Sequence, residues 1–282
     1  MFFLLSIAGG IFLALGFYVV DVVSPIKQAA NLSEDNDISA KAWVVFNPET
    51  GEVLLSKNQD ESLPIASITK LFLAEEVLKE EGLFSTTTIT WSDLSNYGTA
   101  GRLSYGEVYD FYTLLFPLLL SSSNDAASVI ERNFPDIVER MNNRSADLGT
   151  SAHFSDSSGL SPANAATAKD VAALAAQVYS NSPQAMAITR LPYHAREKIG
   201  WQNNNPVFGQ AGFNGGKSGY TDEAGHTLVV FFNEETILGE SKPLGYVLLG
   251  SDDLVGDTEK LRKYTSTRLW WYALAAKWYN HR

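Results

Sequence analysis

The chain has 282 residues, 21 basic and 32 acidic side chains, a net charge of −11, 45% apolar residues and no cysteine. At ~150 residues per domain this allows one large domain or two small ones, each with a real core. The acidic balance excludes a counterion-displacing nucleic-acid binder, and the missing cysteine excludes disulfide scaffolds, iron–sulfur clusters, thiolate zinc sites and cysteine nucleophiles.

Residues 1 to 20 carry no charged side chain, and the apolar run continues to Val23 past Asp21. About 20 helical residues cross a ~30 Å hydrocarbon core. The run exceeds the apolar region of a cleavable signal and no clear A-x-A site follows, so a transmembrane anchor is expected over a removed signal peptide. Residues 24–40 read as a polar tether. Its Asp35-Asn36-Asp37 lacks the Gly and distal Glu of a calcium loop, and reads as solvated linker.

Ala42–Phe46 and Glu52–Ser56 flank Asn47-Pro-Glu-Thr-Gly51, a strand–turn–strand pattern. From Ser67 to about Lys79 the apolar spacing is helical, with Gly82 as the stop; Glu75-Glu76 and Glu80-Glu81 read as its solvated face. Residues 105–190 are mostly helical patterns broken by Pro117, Pro135 and Pro162. A Gly/Asn-rich stretch, 203–219, precedes two strand-like runs, His226–Phe232 and Gly245–Gly250, and a basic, aromatic helix at about 257–279. That helix, with Trp270, Trp271 and Trp278, is expected to pack on the sheet rather than touch a membrane surface. One α/β domain follows, its sheet built from both ends of the chain around a helical insert.

Three short motifs could carry chemistry. In Ser67-Ile-Thr-Lys70 the hydroxyl and amine share a helix face, and a neutral lysine can take the serine's proton. Ser67 at a helix N-terminus also finds free N–H groups for a developing oxyanion. Alone the pattern is weak, since roughly one S-x-x-K arises by chance in such a length; Ser24-Pro-Ile-Lys27 is another, set in the tether. Ser122-Ser123-Asn124 reads by itself as a helix cap. Lys217-Ser218-Gly219 offers a cation, a hydroxyl and a close backbone approach; a phosphate loop is excluded because position 211 is Ala rather than Gly. The four histidines, His153, His194, His226 and His281, are dispersed, so neither a metal nor any other cofactor is expected.

Taken together and in order, S-x-x-K, S-x-N and K-[ST]-G resemble the active-site set of penicillin-recognising serine enzymes. The chain is similar to low-molecular-mass penicillin-binding proteins, the serine D-alanyl-D-alanine carboxypeptidases, from roughly Ala40 to Ala275. Pro64–Lys70 resembles their nucleophile helix, and Ser122-Ser-Asn-Asp-Ala-Ala127 their S-G-N-D-A-A. Met141–Leu160 looks like their M-N…L-G…H-F…G-L segment, and Gly216-Lys-Ser-Gly-Tyr-Thr221 their K-T-G-H-T.

The resemblance implies a five-stranded antiparallel sheet flanked by helices, with residues 41–282 as the catalytic domain. It implies Ser67 as nucleophile, Lys70 as base and Ser122 as proton relay. Asn124 would position the substrate amide or Lys70, Lys217 and Ser218 would hold the terminal carboxylate, and the N–H groups of Ser67 and Tyr220 would form the oxyanion hole beside Gly219. Lys70 can be neutral near pH 7 only if burial and Lys217's charge depress its pKa. The implied partners are peptidoglycan pentapeptides ending in D-Ala-D-Ala, and β-lactams as covalent inhibitors, on the extracytoplasmic side of a bacterial membrane. Three departures stand out. Ser218 replaces Thr, Tyr220 replaces a common His, and Ser123 replaces Gly, where it is expected to narrow the cleft. A class A β-lactamase is disfavoured because no Glu-x-x-Leu-Asn string lies between Asp125 and Gly216. A DD-endopeptidase and an inactive muropeptide-binding protein remain as alternatives.

Overall fold

The computed structural model describes residues 37–94, 98, 101–235 and 241–266. The chain divides between Ile38 and Ser39, and every helix and strand named here lies in the unit Ser39–Arg282. The expected anchor, residues 24–36 of the tether, and Trp270, Trp271 and Trp278 lie outside the described residues. Among the described residues no helix is long and apolar enough to cross a membrane.

Five strands form one antiparallel sheet: β1 (Ala42–Phe46), β2 (Val53–Lys57), β9 (Phe213–Thr221), β10 (Gly225–Glu235) and β11 (Ser241–Ser251), in the order β2-β1-β11-β10-β9. Both ends of the chain thus meet in the sheet, and the helical insert departs after β2 and returns at β9. β1 and β11 read as nearly unbroken apolar runs because both faces are covered. Alternate residues Val44, Phe46, Val229, Phe231, Val247 and Leu249 join the core shared with the insert. Trp43 faces the other way, edge-on to Tyr264 of the C-terminal helix, which is described over 254–266.

Over its described part, 254–266, the C-terminal helix therefore packs on the sheet. It does so with a polar clasp as well as apolar contact. Buried Asp257 accepts hydrogen bonds from the Ser39 and Ala40 N–H groups (2.9 Å each), Ser39 Oγ (2.6 Å) and Ser251 Oγ (2.7 Å). Ser39 and Ala40, read from sequence as the end of the tether, are thereby pinned to the domain.

Inside the insert, β3 (Ser62–Pro64) pairs with β6 (Ala165–Thr167), and a 3-10 turn, Ala66–Ile68, leads into α1 (Thr69–Val77). β4 (Thr86–Thr88) pairs with β5 (Val108–Asp110) before α2 (Phe111–Leu120), α3 (Asn124–Asn133) and α4 (Ile137–Asp147). After β6 come α5 (Ala168–Asn181), α6 (Pro183–Thr189) and the hairpin β7 (Tyr193–Arg196)–β8 (Ile199–Gln202). Local signals set most starts: Asp110 caps α2 through Thr113 N–H, and Thr167 with Asp170 forms a capping box on α5.

Four sequence expectations are corrected. The helix expected from Ser67 begins as the 3-10 turn, and α1 proper starts at Thr69. Glu75 and Glu76 are not a solvated face. α1 is packed against α2, α4 and α5, so every one of its residues is buried. Burial raises the Glu75 carboxyl pKa against the pull of Lys79 and Arg144 at 3.6 and 3.7 Å. Pro117 does not end a helix; it sits inside α2, where only the carbonyl of residue 113 loses its partner and tertiary packing offsets the cost. The Gly/Asn-rich region holds a strand: Lys217-Ser218-Gly219 lies within β9 rather than ahead of a strand, held by pairing with β10.

Candidate active site

The 3-10 turn presents Ser67 half-buried, with Lys70 one turn on and fully buried. Ala66 carries φ +48°, a left-handed conformation that no glycine signals, and it swings the chain so that Ser67 faces the cleft side of the sheet. Lys70 Nζ lies 2.9 Å from Ser67 Oγ and donates to the Ser158 carbonyl.

That carbonyl belongs to a loop built around one carboxylate. Asp156 accepts from the N–H groups of Ser158 (2.7 Å), Gly159 (2.6 Å) and Ser161 (2.9 Å). Buried Asn164 ties the loop to α1: its Oδ1 accepts from Ser155 N–H at 2.9 Å and its Nδ2 donates to Thr69 Oγ1 at 3.1 Å. Gly159 has φ +82°, and any Cβ there would overlap the Ala66 carbonyl, so the loop lies flush against the serine turn. Asp156, Ser158 and Asn164 received no role from sequence. The signal for Asp156 and Ser158 was the H-F…G-L segment, whose use becomes visible only when the loop folds back 88 residues onto Lys70.

From the other side comes β9. A Cβ on Gly219 would stand 2.5 Å from Ser67 N and 3.0 Å from Ala66 Cβ, so the strand passes in direct contact with the serine turn. Opposite Gly219 in register, buried Thr227 donates from Oγ1 to the Ile65 carbonyl at 2.9 Å, fastening that turn to the sheet. Lys217, two residues before Gly219, is fully buried and donates to the Ser218 carbonyl at 2.7 Å. Ser218 is half-buried. The Tyr220 side chain points outward, its hydroxyl donating to Asp222 and its ring against His226 (4.7 Å between centroids), so only its backbone lies along the strand's inner course.

The electrostatics follow from this burial. Lys70 is held well below the ordinary ammonium range, first by desolvation and then by the Lys217 charge, with Asp156 pulling the other way. Desolvation brings Lys217 down to about 7. Two lysines thus share a dry space, and the loop carboxylate restrains the shift without cancelling it.

The third motif sits on the turn between α2 and α3. Ser122 has φ +60°, left-handed like Ala66 and likewise not a glycine. Ser123 is the N-cap of α3: its buried side chain accepts from Ala126 N–H at 3.0 Å. The cap reading is therefore true of Ser123, and its inward side chain does not narrow the cleft. Asn124 opens α3 and shares a cavity of about 670 Å³ with Ser158, the residue that accepts from Lys70. Among the described residues no group of three or more histidine or acidic side chains is placed to hold a metal.

The Peptidase S11 family, D-alanyl-D-alanine carboxypeptidase, matches residues 28–238. The chain is 30% identical over 277 residues to a D-alanyl-D-alanine endopeptidase of Pseudomonas aeruginosa, covering 91% of this chain and 86% of that one. It is 33% identical over 208 residues to a D-alanyl-D-alanine carboxypeptidase of Mycobacterium tuberculosis, covering 68% and 70%. The crystal structure of a D-alanyl-D-alanine carboxypeptidase from the latter organism superposes with a TM-score of 0.73 at 26% identity, over 80% of this chain and 90% of that one.

Proposed function

Because the chain belongs to the Peptidase S11 family of D-alanyl-D-alanine carboxypeptidases, we propose that it removes the terminal D-alanine of peptidoglycan stem pentapeptides through an acyl-enzyme on Ser67. The observation that carries this reading is the 2.9 Å approach of a buried, pKa-depressed Lys70 amine to the Ser67 hydroxyl.

A neutral Lys70 has two N–H bonds and one lone pair. With an N–H given to the Ser158 carbonyl, the lone pair is left for the Ser67 proton. Ser67 Oγ then attacks the carbonyl between the two D-alanines. The oxyanion is received by the backbone N–H groups of Ser67 and Tyr220, a role supported by the close approach of β9 to the serine turn at Gly219. Lys217 and Ser218 take the substrate's terminal carboxylate, and Asn124 takes its amide. Ser122 relays the proton from Lys70 to the departing amine as the C–N bond breaks, which leaves Lys70 neutral again. Water, losing its proton to the same base, hydrolyses the ester and restores Ser67. β-Lactams enter by the same first step and stay as slow esters, since no Glu-x-x-Leu-Asn string supplies a second base. No cofactor or nucleic acid takes part. Residues 1–23 anchor the domain on the extracytoplasmic side of a bacterial membrane, a reading supported by their uncharged, apolar run.

A fluorescent penicillin should label the full chain and leave Ser67→Ala unlabelled; an unlabelled wild type at adequate concentration overturns the enzyme reading. A second reading, cleavage of the D-alanyl crosslink, is favoured by the relative that spans 91% of this chain and is named an endopeptidase. Mass spectrometry of defined muropeptides separates the two: loss of one D-alanine from a monomer supports the first, and halving of a crosslinked dimer the second.

A further inference from the structure

Two large aromatic side chains stand exposed next to the turn whose Ser92 and Asp93 line the Asn124 cavity. Trp91 is 69% exposed and Tyr105 57%, and their rings stack at 4.6 Å with only 10° between planes. Leaving an indole in water forgoes the stabilisation its burial would supply, so a rigid exposed one points to a ligand rather than to folding.

The pair is held firmly. Trp91 stands in a turn where Asp93 accepts from Thr90 N–H and Thr90 Oγ1, both at 2.7 Å. Arg132 of α3 then grips Asp93 at 2.8 and 3.0 Å and the Thr88 carbonyl at 3.0 Å. Tyr105 stands in the next turn, where Gly106 N–H donates to the Ile89 carbonyl at 3.0 Å and Glu107 Oε2 accepts from Ser104 N–H at 2.9 Å. The first turn is thus bolted to the helix that begins with Asn124, and the second is held to Ile89, just before the first. The cavity beside Trp91 is lined by Ser92, Asp93, Asn124, Ser128, Arg132 and Ser158, and its volume of about 670 Å³ is of ligand size.

The chemistry selects the occupant. Two side chains are far too small an apolar area for a stable protein interface, which needs about 1,000 Å² or more. The charges beside them, Asp93, Glu107 and Glu131, oppose an anionic lipid surface. A flat aromatic face next to hydroxyls and a guanidinium suits a pyranose, whose C–H face stacks on an indole while its polar edge seeks hydrogen bonds. We propose that Trp91, backed by Tyr105, is a stacking platform for a hexosamine ring of the glycan that carries the stem peptide, with the adjoining cavity taking the ring's polar substituents. The proposal rests on the D-alanyl-D-alanine peptidase reading, because only that substrate brings a sugar to this turn together with its peptide.

The test compares two substrates on the full chain: a disaccharide-linked pentapeptide and the same pentapeptide without sugar. The wild type should prefer the glycosylated one. Trp91→Ala should raise its KM about tenfold, the size of one lost aromatic contact, with kcat and turnover of the sugar-free peptide within twofold of wild type. Trp91→Phe should recover most of the loss, and peptide-free glycan strands should compete with the glycosylated substrate only where residue 91 is aromatic. Equal turnover of the two substrates by the wild type overturns the platform, as does an equal loss on both in Trp91→Ala. Unchanged glycan binding with a shifted sedimentation coefficient in Trp91→Ala also overturns it, and marks a contact between copies. Fluorescent-penicillin labelling of Ser67 in the same samples keeps the two readings apart: labelled protein without glycan preference sinks only the platform, and unlabelled protein sinks the peptidase reading beneath it.

Discussion

Replacing Gly219 by alanine tests whether β9 and the serine turn act as one rigid unit. The new Cβ would stand 2.5 Å from Ser67 N, 2.8 Å from Thr227 Oγ1 and 3.0 Å from Ala66 Cβ. Distances below 3.0 Å are essentially unknown for real Cβ atoms, so strand and turn must part by about half an ångström. Neither side yields easily: the turn is tied to β10 through Thr227 and to the Asp156 loop through Gly159. Overpacking of this kind costs about 2 kcal/mol, a fall in Tm of roughly 4–8 °C for a domain of this size. The larger effect falls on catalysis, because the methyl group crowds the Ser67 N–H, and loss of one oxyanion donor lowers rate by about 10²–10³-fold. The assay is the acylation rate with fluorescent penicillin, measured beside thermal unfolding. A variant acylated within fivefold of wild type, at unchanged Tm, would refute the claim that backbone contact at Gly219 builds the site.

Three further outcomes follow from the same geometry. Lys70 must be neutral to act as base and Lys217 charged to hold a carboxylate. With Lys217 at about 7, kcat/KM for a D-Ala-D-Ala peptide should fall as pH rises above 7, and it should also fall in acid as Lys70 gains a proton; a flat profile from pH 6 to 9 contradicts these roles. Ser123→Ala should cost about 1 kcal/mol in a thermal melt through the lost cap and retain penicillin labelling, whereas Ser122→Ala should lose acylation at unchanged stability; the reverse pattern would exchange their roles. Asp257→Ala strands four donors in a buried clasp and should destabilise the domain by about 3 kcal/mol, with the folded fraction still labelled at Ser67; a Tm within 2 °C of wild type would show that the clasp is dispensable.

Much of this protein was legible locally. The hairpin of β1 and β2, the sheet assembled from both chain ends, a helix cap within Ser122-Ser123-Asn124 and the start of the C-terminal helix followed from patterns spanning a few residues. The S-x-x-K pair was legible for the same reason, since a single helical turn brings i and i+3 together. What failed were judgements that depend on distant neighbours. Glu75 and Glu76 look like a wet helix face until α2, α4 and α5 surround α1. The glycines before Lys217 look like a loop until β10 pairs with them.

The sequence by itself named the candidate reagents: a serine, two lysines, a second serine and an amide in a recognisable order. Tertiary structure decided how Ser67, Lys70 and β9 stand to one another. The left-handed turns at Ala66 and Ser122 use no glycine, and the Ser158 carbonyl on Lys70 is a backbone group that no side-chain motif encodes. The depressed lysine pKa depends on exclusion of water, which belongs to the packed whole and to no segment of it.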